Sequence, residues 1–195
     1  YPTEEKTSII AIEDKDICFR YTGIQIESVN IKESPDWLKK RLISIGERPI
    51  NNIVDITNYV MFEIGQPLHA FDQDKIDGSK IYVRKSKSKE KMLTLDGENR
   101  ALPEGSIVIA DQKSPIGLAG IMGGKSSEIT SDTTNVFLEA ANFNSSMIRA
   151  TSKKLGLSTE ASMRFERNLD PKLAIYGLSR AADLIVELAG GKINQ

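Results

Sequence analysis

A single acid inside an apolar run is the first place where this sequence could do chemistry. Glu139 stands in NVFLEAANF, residues 135–143, downstream of the glycine-rich GLAGIMGG of residues 117–124. Val136 and Leu138 alternate with Phe137 and Glu139, the period of a β-strand whose two sides can both be apolar. A carboxylate there is costly to bury unless it is paired or hydrogen-bonded. Two readings follow. Either Glu139 meets a basic partner or the exposed end of its strand, or it faces a cavity floored by the glycine segment. Glycines at 117, 120, 123 and 124 let backbone approach a ligand closely and offer bare N–H groups. The same glycines also suit a strand bend or bulge.

Three further groups of residues have chemical potential. His69, the only histidine, lies in QPLHAFD, residues 66–72. Its plain reading is a structural imidazole bonded to Asp72 or to backbone. Zinc sites usually take several nitrogen or sulfur ligands; one His and one Cys give no such set, so no metal site is expected. Asp55 and Asn58 stand one helical turn apart and are spaced to face one site. Arg149 and Lys153 share the same spacing, with Lys154 beside them, so one helix face is basic, either solvated or in contact with phosphate.

The elements that must position these residues are legible in part. Strands are predicted over 8–13, 17–29, 80–86, 91–96 and 106–111, besides the one bearing Glu139. Ser34 is predicted to cap a helix with Pro35 at its first position and Gly46 at its end. A second helix from about residue 51 or 52 to Ile64, stopped by Gly65, is apolar over so much of its surface that it must lie deep in the fold. Asn144 caps a helix over 145–155 that Gly156 stops. Asp170-Pro171 opens a last amphipathic helix to about Leu188, with Leu173, Tyr176, Ala181, Leu184, Ile185 and Leu188 inward. Strands and helices mix without regular βαβ alternation, which predicts an α+β fold with β-sheets packed against flanking helices.

Composition narrows the function classes. The 195 residues suffice for one large domain or two small ones. Lys+Arg 26 against Asp+Glu 27 leaves a net charge of −1, which argues against bulk electrostatic attraction to nucleic acid but leaves room for a local basic patch. Cys18, the one cysteine, has no internal partner for a disulfide, so a reduced thiol and an intracellular, cytoplasmic setting are expected. No apolar run approaches membrane-spanning length, so no membrane partner is expected. The start at Tyr1 and the stop soon after Gly190-Gly191 read as a piece of a longer polypeptide.

Several separated blocks carry a resemblance. NIVDITNYVMFEIGQPLHAFD (52–72), LDG (95–97), IAD (109–111), LAGIMGG (118–124), VFLEAA (136–141) and GLSTEASMRFERNLDP (156–171) closely resemble the editing domain of the bacterial phenylalanyl-tRNA synthetase beta chain, in the same order and over roughly residues 20–191. The resemblance implies one editing domain over 1–195, built of two intertwined modules with an editing pocket at their junction. It implies post-transfer editing, the hydrolysis of the ester in mischarged tyrosyl-tRNA(Phe), because a synthetic site built for phenylalanine rejects an added hydroxyl poorly. It further implies an alpha chain as partner in an α2β2 assembly, with ATP and Mg serving the full synthetase and no cofactor in this stretch; DNA is not an expected partner.

Carried across by motif, His69 of QPLHAFD matches the family's pocket histidine, and Glu139 of VFLEAA the glutamate that recognises the tyrosine hydroxyl. Gly120 and Gly123 of AGIMGG line the pocket, Thr159 and Ala161 of LSTEAS form its facing wall, and Thr57 and Asn58 of ITNYV stand near the scissile ester and its water. Arg149, Lys153 and Lys154 are the residues expected to meet the tRNA. In this reading an ionised Glu139 accepts the phenol O–H, and phenylalanine strips water from the acid without compensation. No Ser-His-Asp or Cys-His pairing is apparent, so a bound water rather than a covalent nucleophile is expected to attack, with N–H groups of 120–124 on the oxyanion. The alternative is a module that holds the tRNA acceptor end, or scaffolds the beta chain, without catalysis.

Overall fold

A computed structural model describes residues 9–194. Its first half comprises β1 (Ile10–Ile12), β2 (Cys18–Glu27), α1 (Asp36–Ser44), α2 (Asn52–Ile64), β3 (Leu68–Asp72), β4 (Ile81–Lys85), β5 (Lys91–Leu93) and β6 (Asn99–Ala101). Its second half comprises β7 (Ile107–Ala110), β8 (Pro115–Leu118), β9 (Met122–Gly123), β10 (Val136–Phe143), α3 (Ser145–Leu155), α4 (Glu160–Phe165), α5 (Leu173–Ala189) and β11 (Lys192–Asn194). This is an α+β fold, as the mixed pattern predicts. Of the strand predicted over 8–13, Ser8 lies outside the described residues.

The chain forms two compact units, each assembled from three stretches of sequence. The first takes residues up to Arg20, then 75–128 and 142–170; the second takes 21–74, 129–141 and 171 onward. In the first unit a five-stranded sheet runs in the order β1-β4-β7-β8-β9, with the β5-β6 hairpin as a separate two-stranded sheet. Ile81, Val83, Ile107, Ile109, Ile116 and Leu118 are buried along its strands. On α3, Thr151 donates to Ser106 Oγ at 3.2 Å, and Asn144 caps the helix by accepting from the Met147 N–H, as predicted. The rings of Phe143 and Phe165 meet at a tilt of 57°, with centroids 5.3 Å apart.

The second unit is built on the sheet β11-β2-β10-β3. One face carries Ile26, Val136, Leu138, Ala140 and Ala70, which pack with Leu38, Ile53, Ile56, Val60, Leu178 and Ile185 of α1, α2 and α5. The Asn51 side chain caps α2 by accepting from the N–H groups of Ile53 and Val54, and Gly65 at φ 90° ends it. That stop requires the left-handed region, which glycine enters without a steric penalty.

Two local expectations are corrected. Ser34 does not cap α1; Pro35 occupies the cap, and the Ser34 hydroxyl instead donates to Asp55 Oδ2 at 2.6 Å. Tyr176, predicted inward, is 58% exposed, because Ala174, Gly177, Leu178 and Ala181 form the stripe that α5 buries. Between α3 and α5 the structure adds a short helix that the sequence pattern does not announce. Thr159 and Ser162 form a reciprocal capping box that starts α4, with Ser standing where the usual signature has Glu or Gln.

Candidate functional site

Side-chain alternation on β10 places Glu139 and Phe137 on the sheet face opposite the helical core. β3 pairs antiparallel with β10, and Glu139 lies directly across from His69, as Phe137 does from Phe71. Residues opposite one another in such a ladder project to the same side. His69 meets Phe71 edge-on, centroids 4.4 Å apart. From β2, on the other flank of β10, Tyr21 and Gly23 complete the face. The Phe137 ring lies over Gly23, where a Cβ would come within 2.2 Å of its Cζ. Only glycine leaves room for that ring.

The Tyr21 hydroxyl donates to Glu139 Oε2 at 2.7 Å. Glu139 is 6% exposed, and its other oxygen accepts no hydrogen bond among the described residues. The acid therefore meets neither an arginine nor bulk solvent; its partner is a phenol from 118 positions earlier in the chain. Desolvation pushes the Glu139 carboxyl up to about 7, against the Tyr21 bond, which pulls it down. The expectation of a fully ionised acceptor is thereby revised: near pH 7 this acid is close to half protonated. His69 keeps part of its surface accessible, yet the surrounding protein pushes its imidazole down to about 4, so the ring is neutral at pH 7. The structural pairing with Asp72 is not seen. Asp72 accepts instead from Thr133 at 2.7 Å and from the Asp74 N–H at 3.2 Å.

Thr57 and Asn58 lie on α2. The Thr57 hydroxyl donates to Val54 O of its own helix at 2.7 Å. The core built by α2 lies behind the sheet, on the Ala70 side, so this helix reaches the His69 face only past β3, which is an edge strand. No hydrogen bond joins either residue to His69 or Glu139. Asp55 is wholly buried, accepting from Ser34 and from the Ile50 N–H, so its role is to hold the entry to α2 rather than to share a site with Asn58.

The other predicted residues fall in the first unit. Thr159 donates to Ile121 O at 3.0 Å while accepting from the Ser162 N–H, which ties the start of α4, and Ala161 within it, to the glycine segment. Gly120 sits at φ 66°, where a Cβ would meet Phe165 Cδ2 at 2.8 Å. Gly123 is buried, paired with Gly117, and its carbonyl accepts from the Leu95 N–H. The Ile121 N–H is bound to Leu118 O and the Gly124 N–H to Ile116 O, so those two donors do not serve an oxyanion. Arg149 and Lys153 on α3, with Met163, Glu166 and Arg167 at the end of α4, line a surface hollow of about 310 Å³. Lys154 is exposed in the last turn of α3 but does not line it.

Sequence reasoning missed Tyr21, although its alternation with Gly23 on β2 was readable. Which strand would lie beside it was not. Arg167 was missed because no element is predicted between Gly156 and Asp170, and it is α4 that brings it to the same hollow as Arg149. Among the described residues no group of three or more His, Cys, Asp or Glu is placed to hold a metal, and no helix is long and apolar enough to cross a membrane.

An α+β domain with a buried acid facing a histidine across a ladder, and a separate wall of glycines anchored to a capped helix, defines a class before it defines a protein. Residues 17–190 match the family model of the B3/4 domain, and the chain belongs to that family. It is 51% identical over 192 residues, 98% of its length, to the phenylalanine–tRNA ligase beta subunit of Geobacter metallireducens. It is 52% identical over 194 residues to that of Aquifex aeolicus, again 98% of this chain. The chain spans about a quarter of the length of these relatives, 24% and 25% respectively. An N-terminal fragment of the phenylalanyl-tRNA synthetase beta-subunit from Pyrococcus horikoshii shares the fold, with a TM-score of 0.62 over 98% of this chain and 52% of that one, at 16% identity. The resemblance drawn from the sequence blocks agrees with these matches.

Proposed function

We propose that this domain is the editing module of a phenylalanine–tRNA ligase beta subunit and hydrolyses the ester of tyrosyl-tRNA(Phe). In this reading the parent works in the cytoplasm with an alpha chain in an α2β2 assembly, and its ATP- and Mg-dependent aminoacylation lies outside this stretch. The observation that carries the proposal is the buried Glu139 carboxyl receiving a phenol O–H from Tyr21. The protein's own fold thus contains the contact that a tyrosine substrate would make, and the carboxyl retains an oxygen for a second donor. A phenol that reaches the second oxygen gains a hydrogen bond to the ionised acid, whereas phenylalanine leaves that oxygen without a donor; the difference is about 1.5–3 kcal/mol.

Water is the nucleophile: its oxygen attacks the ester carbonyl, the tetrahedral intermediate collapses, and the ribose hydroxyl leaves with a proton. His69, neutral at pH 7, accepts a hydrogen bond from that water and orients it. A base titrating near 4 is too weak to draw the proton off efficiently at neutral pH, so His69 acts chiefly by positioning. Gly120, Gly123, Thr159 and Ala161 form the wall that admits the amino acid, and Thr57 and Asn58 approach the ester end. Arg149, Lys153 and Lys154 take the tRNA.

The test is hydrolysis of tyrosyl-tRNA(Phe) and phenylalanyl-tRNA(Phe) by the purified chain and by its His69→Ala variant. Faster loss of the tyrosyl ester, slowed in the variant, is expected. Binding of tyrosyl-tRNA without hydrolysis by the parent chain would leave only the holding module.

A further inference from the structure

We infer that the hollow between the outer face of α3 and the end of α4 is a binding site for one nucleotide of single-stranded RNA, seated next to the esterified terminus. Its residues carry chemistry that the tyrosine-recognising face does not use. Arg149, Lys153 and Arg167 surround about 310 Å³, all three are exposed, and none of their side chains has an ion pair or hydrogen bond among the described residues. Elsewhere in the same unit cations are neutralised by acids: Arg84 by Glu90, Lys85 by Asp14, Arg100 by Asp96, Lys113 by Asp77. Three cations without an ion pair, against a single carboxylate, around one concavity make an electrostatic footprint for phosphate.

The rest of the lining favours a nucleotide over a bare anion. Glu166 also faces the hollow and, rather than neutralising the arginines, has no bond to them. A carboxylate repels phosphate but accepts a ribose hydroxyl, the group that distinguishes RNA from DNA. Met163, 37% exposed, offers a polarizable thioether against which a base can lie. Phosphate donors, a hydroxyl acceptor and an apolar surface thus stand around a space at the lower end of small-ligand site volumes.

Position supplies the remaining argument, and here the inference rests on the proposed function. α4 links the hollow to the wall: its first turn holds Thr159 against Ile121, and its last holds Met163 and Glu166 in the hollow. Six residues of helix span about 9 Å, short enough for adjoining nucleotides of one RNA to touch both ends. With the amino acid against the Thr159 wall, the nucleotide that precedes its ester falls at Arg149 and Arg167.

A fluorescent single-stranded RNA tetranucleotide ending in a 3′-terminal adenosine and carrying no amino acid tests this by anisotropy. The chain and its Arg149→Gln/Arg167→Gln double variant are titrated across a salt series, beside the matching DNA and inorganic phosphate as competitors. The double variant is expected to bind at least tenfold more weakly, with the slope of log K against log salt reduced by about 1.4, at about 0.7 per phosphate contact in a single strand. RNA is expected to bind more tightly than DNA, and Glu166→Gln to narrow that preference. An unchanged affinity and slope in the double variant overturn the site. Equal binding of DNA, or displacement by phosphate at RNA-like concentrations, overturns its assignment to an RNA nucleotide. Because the probe has no ester, binding through these arginines by a chain that fails to hydrolyse tyrosyl-tRNA sinks the editing proposal alone, whereas hydrolysis without such binding sinks this one alone.

Discussion

Replacing Tyr21 by Phe removes one oxygen and tests the electrostatics of the acid directly. In the wild-type chain two opposed effects set the Glu139 carboxyl: desolvation raises it, and the Tyr21 O–H at 2.7 Å lowers it, with a balance at about 7. A hydrogen bond to a charged acceptor is worth about 1.5–3 kcal/mol, and one pKa unit is about 1.4 kcal/mol. Loss of the donor should therefore lift Glu139 by about one to two units, to about 8 or 9. At pH 7 the ionised fraction would fall from about a half to about a tenth or less. The assay is a ¹³C NMR titration of the Glu139 carboxyl carbon from pH 5 to 10 in both proteins, with the ratio of tyrosyl to phenylalanyl ester hydrolysis followed over the same range. The variant's discrimination should be weak at pH 7 and recover toward pH 9. A Glu139 titration that stays put or moves down in Tyr21→Phe would refute the reasoning, because the phenol would then not be holding the carboxylate.

Stability should depend on pH through two groups that oppose each other. Between about 4.5 and 7 the folded Glu139 holds a proton that the unfolded chain has released, so stability falls with rising pH at about 1.4 kcal/mol per unit. Between about 4 and 6.5 the unfolded His69 holds the extra proton, so stability rises with pH, by somewhat less because the ring is partly exposed. The two nearly cancel from 4.5 to 6.5, and urea titrations of His69→Gln should expose the downward Glu139 slope alone; a flat profile in that variant would contradict the burial of Glu139. Glu139→Ala should narrow the tyrosyl-to-phenylalanyl hydrolysis ratio at least tenfold, about 1.4 kcal/mol, measured as kcat/KM for each ester. Gly120→Ala should lower Tm by several degrees, since it meets both a left-handed backbone and Phe165; calorimetry showing no shift would place Gly120 in a looser setting. Gly123→Trp should abolish editing while the far-ultraviolet circular dichroism stays native.

The sequence by itself determined those features that neighbours along the chain decide. Alternation on 136–143 assigned Val136 and Leu138 to one side and Phe137 and Glu139 to the other. Asn51, Gly65, Asn144 and Gly156 mark helix ends because caps and left-handed stops act within a turn of their own residue. The family blocks brought Glu139, His69 and the glycine segment together as one candidate set. Tertiary structure alone decided what each acid meets. Asp55 has the type and spacing of a site residue, yet the fold surrounds it with Ser34 and the Ile50 amide. Glu139 has the surroundings of a paired carboxylate, yet its partner proved to be a phenol, which leaves its charge undecided at neutral pH. Arg167 reads as one cation among many until a capping box with an unusual Ser162 folds α4 and turns it toward Arg149. Protonation and recognition depend on desolvation and on contacts across more than a hundred residues of chain, and no local spacing carries that information.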